Sequence, residues 1–287
     1  MKKVILLFIL VLLFGCSQKT SNVDFEIDFI DVGQGDAALV MCDGHNMLID
    51  CGDKNHATSL GLYLTQEGKQ IDKIDYIICT HPDEDHVGGI QGIFSYCSNI
   101  GEIYCPQAKT NFSAYSNLES TCEANGKTIK TLSIGDKIKL SNVTVEVMAV
   151  DIDKTSENDS SIVLMITYKD KLDISGKNKK KILMMGDAET DTMLYLCNNY
   201  SDEELKCDVM KVAHHGSDNA ATDYPLLFKA LPKYAIISVG ANNKYNHPHE
   251  SVTKRLDAIG ATTYMTSVNH NIIYSVTKGE EESFSFK

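Results

Sequence analysis

The 287-residue sequence predicts an α/β fold (α+β), in which two mixed β-sheets pack face to face and helices cover the outside. Apolar, β-branched runs of strand length dominate both halves of the chain. Strands come in runs at the start of each half, and helical segments follow. No linker, repeat or low-complexity tract interrupts the chain after residue 23. Residues 24–287 are therefore predicted to form one domain.

The individual elements follow from apolar runs bounded by turn residues. The predicted strands are Asp24–Asp31, Ala37–Cys42, Asn46–Asp50, Asp75–Cys79, Glu102–Cys105, Val143–Val150, Ser161–Tyr168, Ile182–Gly186, Val209–Ala213 and Tyr234–Val239. Helical stretches lie between some of them, at His56–Thr65, Val87–Tyr96, Ala188–Leu196, Tyr224–Leu231 and His249–Ile259.

Residues 1–15 have the features of a signal peptide. Lys2 and Lys3 precede an apolar run, residues 4–14, that is too short to span a bilayer as a permanent helix. The run ends in Gly15-Cys16, which resembles a bacterial lipobox with cleavage before Cys16 and lipid on its sulfur. Residues 16–23 would form a tether. We expect the protein at the bacterial cell membrane, lipid-anchored and facing outside the cytoplasm; a plain secreted protein or an uncleaved N-terminal anchor is the alternative.

The charge of the chain bears on its partners. The formal net charge is −12, and it becomes −14 without residues 1–15, because these hold two lysines and no acid. Nucleic-acid affinity comes mostly from Lys and Arg, so an acidic exterior argues against an extended DNA-binding surface. It does not argue against a single phosphate in a metal cleft. We expect a monomer.

One loop concentrates the residue types that bind metals. The segment Thr80-His81-Pro82-Asp83-Glu84-Asp85-His86-Val87-Gly88-Gly89 follows the predicted strand Asp75–Cys79. Two imidazoles and three carboxylates fall within six residues of it. Burying so many titratable groups together is costly unless a cation compensates them, and a divalent metal does that most directly. The loop therefore predicts a metal site; an acidic surface loop with stray histidines is the alternative.

The pattern His81-x-Asp83-x-Asp85-His86 resembles the HxHxDH motif of the metallo-β-lactamase fold hydrolases. Aspartate replaces the second histidine, as in the hydrolase domain of the DNA-uptake protein ComEC. The resemblance covers about residues 24–277 and implies an αβ/βα four-layer sandwich. Other segments continue it in order: residues 29–37 (FIDVGQGDA), 47–52 (MLIDCG), 158–164 (NDSSIVL), 185–189 (MGDAE), 211–217 (KVAHHGS) and 242–248 (NNKYNHP).

The resemblance implies two divalent metal ions, zinc or manganese, at the carboxyl ends of strands. His81 and Asp83 would hold one ion, and Asp85 and His86 the other. Asp187 follows an apolar strand and a glycine, and by resemblance it bridges both ions.

His214 and His215 follow the predicted strand Val209–Ala213, and one of them should complete the second site. Alignment on the following glycine favours His215. Adjacent residues on a strand point to opposite sides, and the sequence does not say which side faces inward. The choice between the two stays open.

The first ion lacks a ligand that many relatives have. They place a histidine roughly 25 residues before the bridging aspartate, whereas this chain has no histidine between residues 87 and 213. Water, Asp159 or a substrate oxygen would then complete the site. An oxygen-rich site shifts the preference from zinc towards manganese.

Further residues are expected around the ions. Asp50 lies in an apolar strand and would orient a ligand histidine or the bridging water. Gln34 and Asp36 lie on a turn whose glycines allow close approach to the cleft, although a plain turn explains Gln34 equally well. Asn243 and His247 would bind or protonate a leaving group.

The predicted chemistry is hydrolysis by a metal-activated hydroxide, with Asp85, Asp187 and His247 as the catalytic residues. No Ser-His-Asp or Cys-His arrangement competes with it. The expected substrate is a small or polymeric phosphodiester. A ComEC-like DNA nuclease is one alternative, and a non-catalytic surface binding lipoprotein of the same fold is another. The missing third histidine argues against a β-lactamase.

Overall fold

The protein is described here from a computed structural model. It describes residues 23–108, 113–153, 155–170, 179–277 and 282–287. The predicted signal peptide, the tether up to residue 22 and the predicted lipid site Cys16 lie outside these ranges. Within them, no helix combines the length and the apolar character that a membrane crossing requires.

Each half of the chain begins with a run of strands, and helices alternate with strands afterwards. The strands are β1 (Val23–Phe29), β2 (Ala38–Cys42), β3 (His45–Ile49), β4 (Lys73–Ile78), β5 (Asn99–Tyr104), β6 (Ile129–Lys130), β7 (Lys137–Leu140), β8 (Val143–Ala149), β9 (Val163–Lys169), β10 (Lys179–Met184), β11 (Val209–Lys211), β12 (Tyr234–Ile237), β13 (Thr262–Met265), β14 (Ile272–Thr277) and β15 (Ser283–Phe286). The helices are α1 (Ala57–Thr65), α2 (Glu84–Val87), α3 (Ile90–Tyr96), α4 (Ser113–Ala124), α5 (Thr190–Asn199), α6 (Asp202–Leu205), α7 (Tyr224–Ala230), α8 (Glu250–Ala258) and α9 (Thr266–Asn269).

Two mixed sheets form the centre of the molecule. One has the strand order β15-β14-β1-β2-β3-β4-β5-β6, and the other has the order β13-β12-β11-β10-β9-β8-β7. Their facing sides form one apolar core, which includes Phe25, Val145 and Ile166. Helices bury a second and a third core against the outer sides, around Leu60 and around Leu227. The predicted fold class, two packed mixed sheets with outer helices, is confirmed.

Parallel strand groups decide where a site can form. In the first sheet β3, β4 and β5 run parallel, and in the second β10, β11 and β12 do so. Their carboxyl ends therefore lie at one edge of each sheet, which is where α/β folds bind ligands. The residues that follow β3, β4, β10 and β11 include Asp50, His81, Asp187 and His214.

Some elements differ from the sequence predictions. The predicted strand Val209–Ala213 ends at Lys211, and α4 and the strands β13 to β15 were not predicted. β14 pairs with β1, so this part of the first sheet joins segments that are far apart in the chain. His249, by contrast, directly precedes α8, where the sequence predicts the start of a helix.

Candidate metal centre

Imidazoles and carboxylates from both sheets meet at the shared edge. His81 and His86 are fully buried, and His215 and Asp187 are 2% and 3% exposed. Polar side chains this deep need partners, because an unpaired charge in a protein interior is strongly unfavourable. These four side chains lie close together, and His86 and His215 also have hydrogen-bond partners behind them, Asp50 and the Ser238 carbonyl.

Asp187 lies in the middle of the cluster. Its Oδ1 is 3.3 Å from His86 Nε2, and its Oδ2 is 3.4 Å from His215 Nε2 and 3.6 Å from His214 Nε2. Its backbone N–H donates to Ser161 Oγ at 3.1 Å, which holds the loop after β10 against the start of β9. One carboxylate therefore faces histidines from both sheets, as a bridging ligand must.

His86 is held by a buried carboxylate behind it. Its Nδ1 lies 2.9 Å from Asp50 Oδ2, and Asp50 also accepts hydrogen bonds from the backbone N–H and the hydroxyl of Thr80. Because a carboxylate only accepts, Nδ1 carries a proton, and Nε2 is the atom that faces Asp187 and would bind a metal ion after losing its own proton. Burial lowers the pKa of His86, but Asp187 and Asp50 outweigh it and raise the pKa well above its usual value.

His214 and His215 lie in a turn, not on a strand. Both have left-handed backbone angles, with φ of 47° and 52°. The alternation of side chains along a strand does not apply there, and both imidazoles face Asp187. Two successive non-glycine residues in this region are uncommon and mark strain that the surrounding fold maintains.

The two histidines differ in their surroundings. His215 Nδ1 donates to the Ser238 carbonyl at 2.9 Å, and its Nε2 lies 3.2 Å from Asp85 Oδ2. The side chain of His214 is 22% exposed, and its Nδ1 lies 3.7 Å from Glu189. His215 is therefore the histidine that the fold holds in one orientation.

The ligand atoms fall into overlapping sets that could each hold an ion. Asp85, His86 and His215 offer atoms that lie within 4.8 Å of one another, and so do His81, His86 and Asp187. Asp83 Oδ2 is 3.7 Å from His81 Nε2. The structure thus groups Asp85 and His86 with His215, and it places Asp83 beside His81.

Several buried ligand atoms of the cluster have no hydrogen-bond partner, which fits a site for metal ions. Nε2 of His81, His86 and His215 and Oδ1 of Asp187 are buried, and none has a hydrogen-bond partner among the residues that the structure describes. Such atoms are rare in folded proteins and call for an explanation. Imidazole nitrogen and carboxylate oxygen are donors that zinc and manganese accept. Divalent cations bound within these sets would satisfy the unpartnered atoms.

A sequence profile of the Metallo-beta-lactamase superfamily matches residues 30–104, which include this ligand loop. The chain is therefore similar to this superfamily over these residues. It is 29% identical to ComE operon protein 3 of Bacillus subtilis (strain 168), over 87% of this chain and 33% of that protein. It is also 29% identical to Recombination protein 2 of Haemophilus influenzae, over 94% of this chain and 31% of that protein. The predicted resemblance to ComEC-type competence proteins is confirmed.

These relatives are much longer than the chain. Competence protein ComA of Neisseria gonorrhoeae is 25% identical over 87% of this chain and 32% of its own length. The chain thus spans about a third of the curated relatives it matches. Among solved structures, the metallo-beta-lactamase fold protein YhfI from Bacillus subtilis covers 88% of this chain and all of its own, with a TM-score of 0.55 and 10% identity. That likeness shows the fold.

The glycine-rich turn of residues 33–36 reaches the ligand loop. Gly35 has a φ of 143°, and a side chain there would collide with the Asp85 backbone carbonyl. The backbone N–H of Asp36 donates to that carbonyl at 3.1 Å. Gln34 Oε1 accepts from the Gly240 N–H at 3.2 Å, which ties the turn to the loop after β12. Gln34 and Asp36 therefore both lie at the cleft.

Asp36 and Asp159 support the candidate metal centre in different ways. Asp36 Oδ1 lies 3.4 Å from His215 Nδ1, and its Oδ2 forms an ion pair with the buried Lys211. Burial raises the pKa of Asp36, but Lys211 and His215 outweigh it and lower the pKa. Asp159 Oδ1 accepts from the backbone N–H groups of Glu189 and Thr192, at 2.7 and 3.3 Å. That oxygen thus holds the start of α5, directly after Asp187.

The loop after β12 carries Asn243 and His247. Asn243 uses its amide to close the loop: Nδ2 donates to the carbonyls of Gly240 and His247, and Oδ1 accepts from the backbone N–H groups of Tyr245 and His247. Its amide is therefore committed to the protein. The His247 ring lies 5.6 Å from that of His214 and 6.4 Å from that of His215.

His247 is neutral at pH 7 in this environment. Burial, reinforced by His214, His215 and His249, lowers its pKa to about 4. Its Nδ1 is buried and has no hydrogen-bond partner among the described residues. A neutral ring at the rim of the centre can exchange a hydrogen bond with a substrate oxygen without adding charge.

Beside Asp85 opens a cavity of about 470 Å³. Its walls include Gln34, Glu84, Lys244 and Tyr245. Tyr245 is 49% exposed, and Lys244 Nζ lies 4.9 Å from its ring centroid. The cavity gives a substrate room next to the metal ligands.

Sequence reasoning missed Lys211 and Thr80 as parts of the centre. Thr80 connects Asp50 to the rings of His81 and His86, with its Oγ1 at 3.2 and 3.3 Å from their Nδ1 atoms. Lys211 is 1% exposed. The signal for Lys211 is in the sequence, since a lysine inside the apolar run Val209–Ala213 has no solvent to face.

Proposed function

We propose that this protein is a metal-dependent hydrolase with two divalent ions that cleaves phosphodiesters outside the cytoplasm. One observation carries the proposal: buried, unpartnered nitrogen and oxygen atoms of His81, His86, His215 and Asp187 converge. The match of residues 30–104 to the Metallo-beta-lactamase superfamily supports a hydrolase that depends on metal ions. The phosphodiester and the count of two ions are our inference from the ligand arrangement.

The residues that would hold the ions form two sides around Asp187. The first side is His81, Asp83 and His214, and the second is Asp85, His86 and His215. Zinc and manganese are both candidates, because the donors mix nitrogen and oxygen. When bound, such ions lower the pKa of a water molecule and stabilise the charge that develops in an in-line displacement.

The protein's own groups orient and protect the centre. Asp50 and the Ser238 carbonyl fix the rings of His86 and His215 through their Nδ1 atoms. Asp187 would be shared by both ions, as its contacts on both sides suggest. His247 would place a hydrogen bond on the leaving oxygen from the rim of the centre. Because Asn243 only closes the loop, it would act by positioning His247.

The acidic surroundings favour a substrate with a single engaged phosphate. Asp53, Glu84 and Asp85 all line the cavity beside the centre, and Lys244 is a lone cation among them. A nuclease that follows a nucleic-acid strand needs several Lys or Arg contacts to phosphates. We therefore favour a small phosphodiester, or one bond of a polymer, over long DNA.

The decisive experiment is metal analysis and hydrolysis assays on the same preparation. We expect bound zinc or manganese, and turnover of bis-p-nitrophenyl phosphate that a chelator abolishes and added metal restores. A protein that binds neither ion and is inactive with both would instead support a non-catalytic binding lipoprotein.

Salt dependence separates the small-substrate hydrolase from the nuclease. Each neutralised phosphate contributes about 0.7 to the slope of log affinity against log salt on single strands. We expect cleavage of single-stranded DNA and of the small diester to change little, and equally, between roughly 50 and 200 mM salt. A steep loss on DNA alone would establish the nuclease reading.

The proposed location is tested at Cys16. We propose a lipid anchor on Cys16, and Cys16→Ser should then leave a precursor that is uncleaved or released. A wild-type protein found wholly in the medium with an intact Cys16 thiol would contradict the anchor.

A further inference from the structure

Lys211 is a basic residue buried in the interior of a β-sheet. It is the last residue of β11, which lies between β10 and β12 in the interior of its sheet. It pairs with Met184 and Ile236, both in the core between the sheets, and its side chain is 1% exposed. A lysine is almost never buried this completely unless it has a partner.

The partner is Asp36, which comes from the other sheet's first loop. Lys211 Nζ forms an ion pair with Asp36 Oδ2, while Asp36 Oδ1 lies 3.4 Å from His215 Nδ1. No other lysine or arginine in the described ranges forms an ion pair with Asp36, Asp50, Asp83, Asp85 or Asp187. Lys211 is thus the internal cation of an otherwise acidic cluster.

Asp36 is close enough to the centre to bind an ion itself. Its carboxylate lies within 4.8 Å of ligand atoms of Asp187 and His215, and likewise of Asp50 and His86. The ion pair occupies one of its oxygens, and His215 faces the other. The contact between Lys211 and Asp36 therefore decides whether this carboxylate orients a histidine or competes for the metal.

We propose that Lys211 is a positioning residue, whose ion pair holds Asp36 against His215 Nδ1 and keeps this carboxylate out of the metal coordination. The role rests on the proposed metal centre. Lys211 touches neither the ions nor the substrate, and it acts only through Asp36 and His215. The arrangement fixes the ring of His215 more firmly than its bond to the Ser238 carbonyl does alone.

The test is a double-mutant cycle on metal affinity. Metal-free full-length protein is titrated with Zn²⁺ against a chromophoric chelator, for wild type, Lys211→Met, Asp36→Asn and the double variant. Methionine keeps the length and removes the charge. We expect each single variant to bind zinc about 10- to 100-fold more weakly. The double variant should be no weaker than either single one, because the unpaired charge is gone.

Two further variants separate positioning from simple packing. Lys211→Arg keeps the charge and should retain most of the affinity. Lys254→Met removes an exposed lysine in α8, whose ion pair with Glu250 is on the surface, and should change neither zinc affinity nor Tm. The Co²⁺-loaded absorption spectrum should shift in Lys211→Met and not in Lys254→Met, because only the former alters a ligand.

Thermal unfolding of the metal-free proteins keeps the inference testable if affinity cannot be measured on a variant. Lys211→Met should lower Tm by roughly 10 °C, and the double variant should recover part of that loss. Wild-type zinc affinity in Lys211→Met, or fold-changes that simply multiply in the double variant, would overturn the inference while the proposed function stands. A wild type that binds no metal ion would overturn the proposed function itself.

Discussion

The proposed metal ligands on the two sides of Asp187 differ in how firmly the protein fixes their orientation. On the second side, His86 and His215 each have their Nδ1 atom fixed, by Asp50 at 2.9 Å and by the Ser238 carbonyl at 2.9 Å. On the first side, the side chains of Asp83 and His214 are 30% and 22% exposed. Among the described residues, the acids nearest to the His214 ring nitrogens are Asp187 at 3.6 Å and Glu189 at 3.7 Å. Ligands whose orientation is fixed bind metal more tightly, because less freedom is lost on binding.

The difference predicts an order of metal loss. The ion on the second side should be retained during purification, whereas the ion on the first side should depend on added metal. The centre would then hold one tightly bound ion and one exchangeable ion. Each of the following variants tests that order of metal loss.

The largest effect is expected for Asp187→Asn. It removes the charge that both sides share without changing the side chain's size, so both ions should be weakened and turnover should fall by roughly 10³-fold or more. Metal content by mass spectrometry and kcat/KM on a small diester measure this. Asp257→Asn in α8, an exposed position, is the matched control and should behave as wild type. Normal activity in Asp187→Asn would mean that another carboxylate bridges the two ions.

His249→Ala is a second control, and it should retain metal and activity as Asp257→Asn does.

The next largest effect separates the two histidines of the turn. His215→Ala should lose the retained ion and most activity, whereas His214→Ala should keep about one ion per chain and recover activity at higher metal concentration. Metal stoichiometry after dialysis, followed by activity against added Mn²⁺, measures both. Equal losses in the two variants would show that the sides are not different.

A smaller effect on zinc affinity is expected for residues that support the ligands without binding the metal. Asp50→Asn leaves every proposed ligand in place but weakens the hold on His86 Nδ1, so zinc affinity should fall about 10- to 100-fold. Asp159→Asn changes a carboxylate that holds the start of α5, so it should cost about 1 kcal/mol of stability and leave zinc affinity nearly unchanged. Chelator competition and thermal melts on both variants decide this. A larger affinity loss in Asp159→Asn would place that residue at the ion.

The smallest effect concerns the cavity beside Asp85. Tyr245→Ala removes an exposed wall of the cavity, whose ring stacks against that of His247 with 5.6 Å between the centroids. We expect KM to rise severalfold, with kcat and metal content unchanged, because only uniform binding is lost. Steady-state kinetics with two diesters of different size test it. A fall in kcat would instead assign the tyrosine to the reaction.

Several features of this protein were evident from the sequence. Asp50 and Asp187 were placed at the ends of apolar strands, and the structure has them there, because the strand period and the turn residues are local signals. The compact run from His81 to His86 was recognised as a cluster for the same reason: its residues are neighbours in the chain. The two-sheet fold followed from the order of strands and helices, and it is confirmed.

Only the tertiary structure decided how distant residues meet. Whether His214 or His215 faces inward could not be read from a strand pattern, because both have left-handed φ angles that only the packed turn sustains. The sequence predicts Asn243 as a substrate ligand, but its side-chain amide forms hydrogen bonds within the loop after β12. Asp36 and Lys211 lie 175 positions apart, and no local signal pairs them. Charges and hydrogen bonds act across space, so the support behind each ligand exists only once both sheets are in contact.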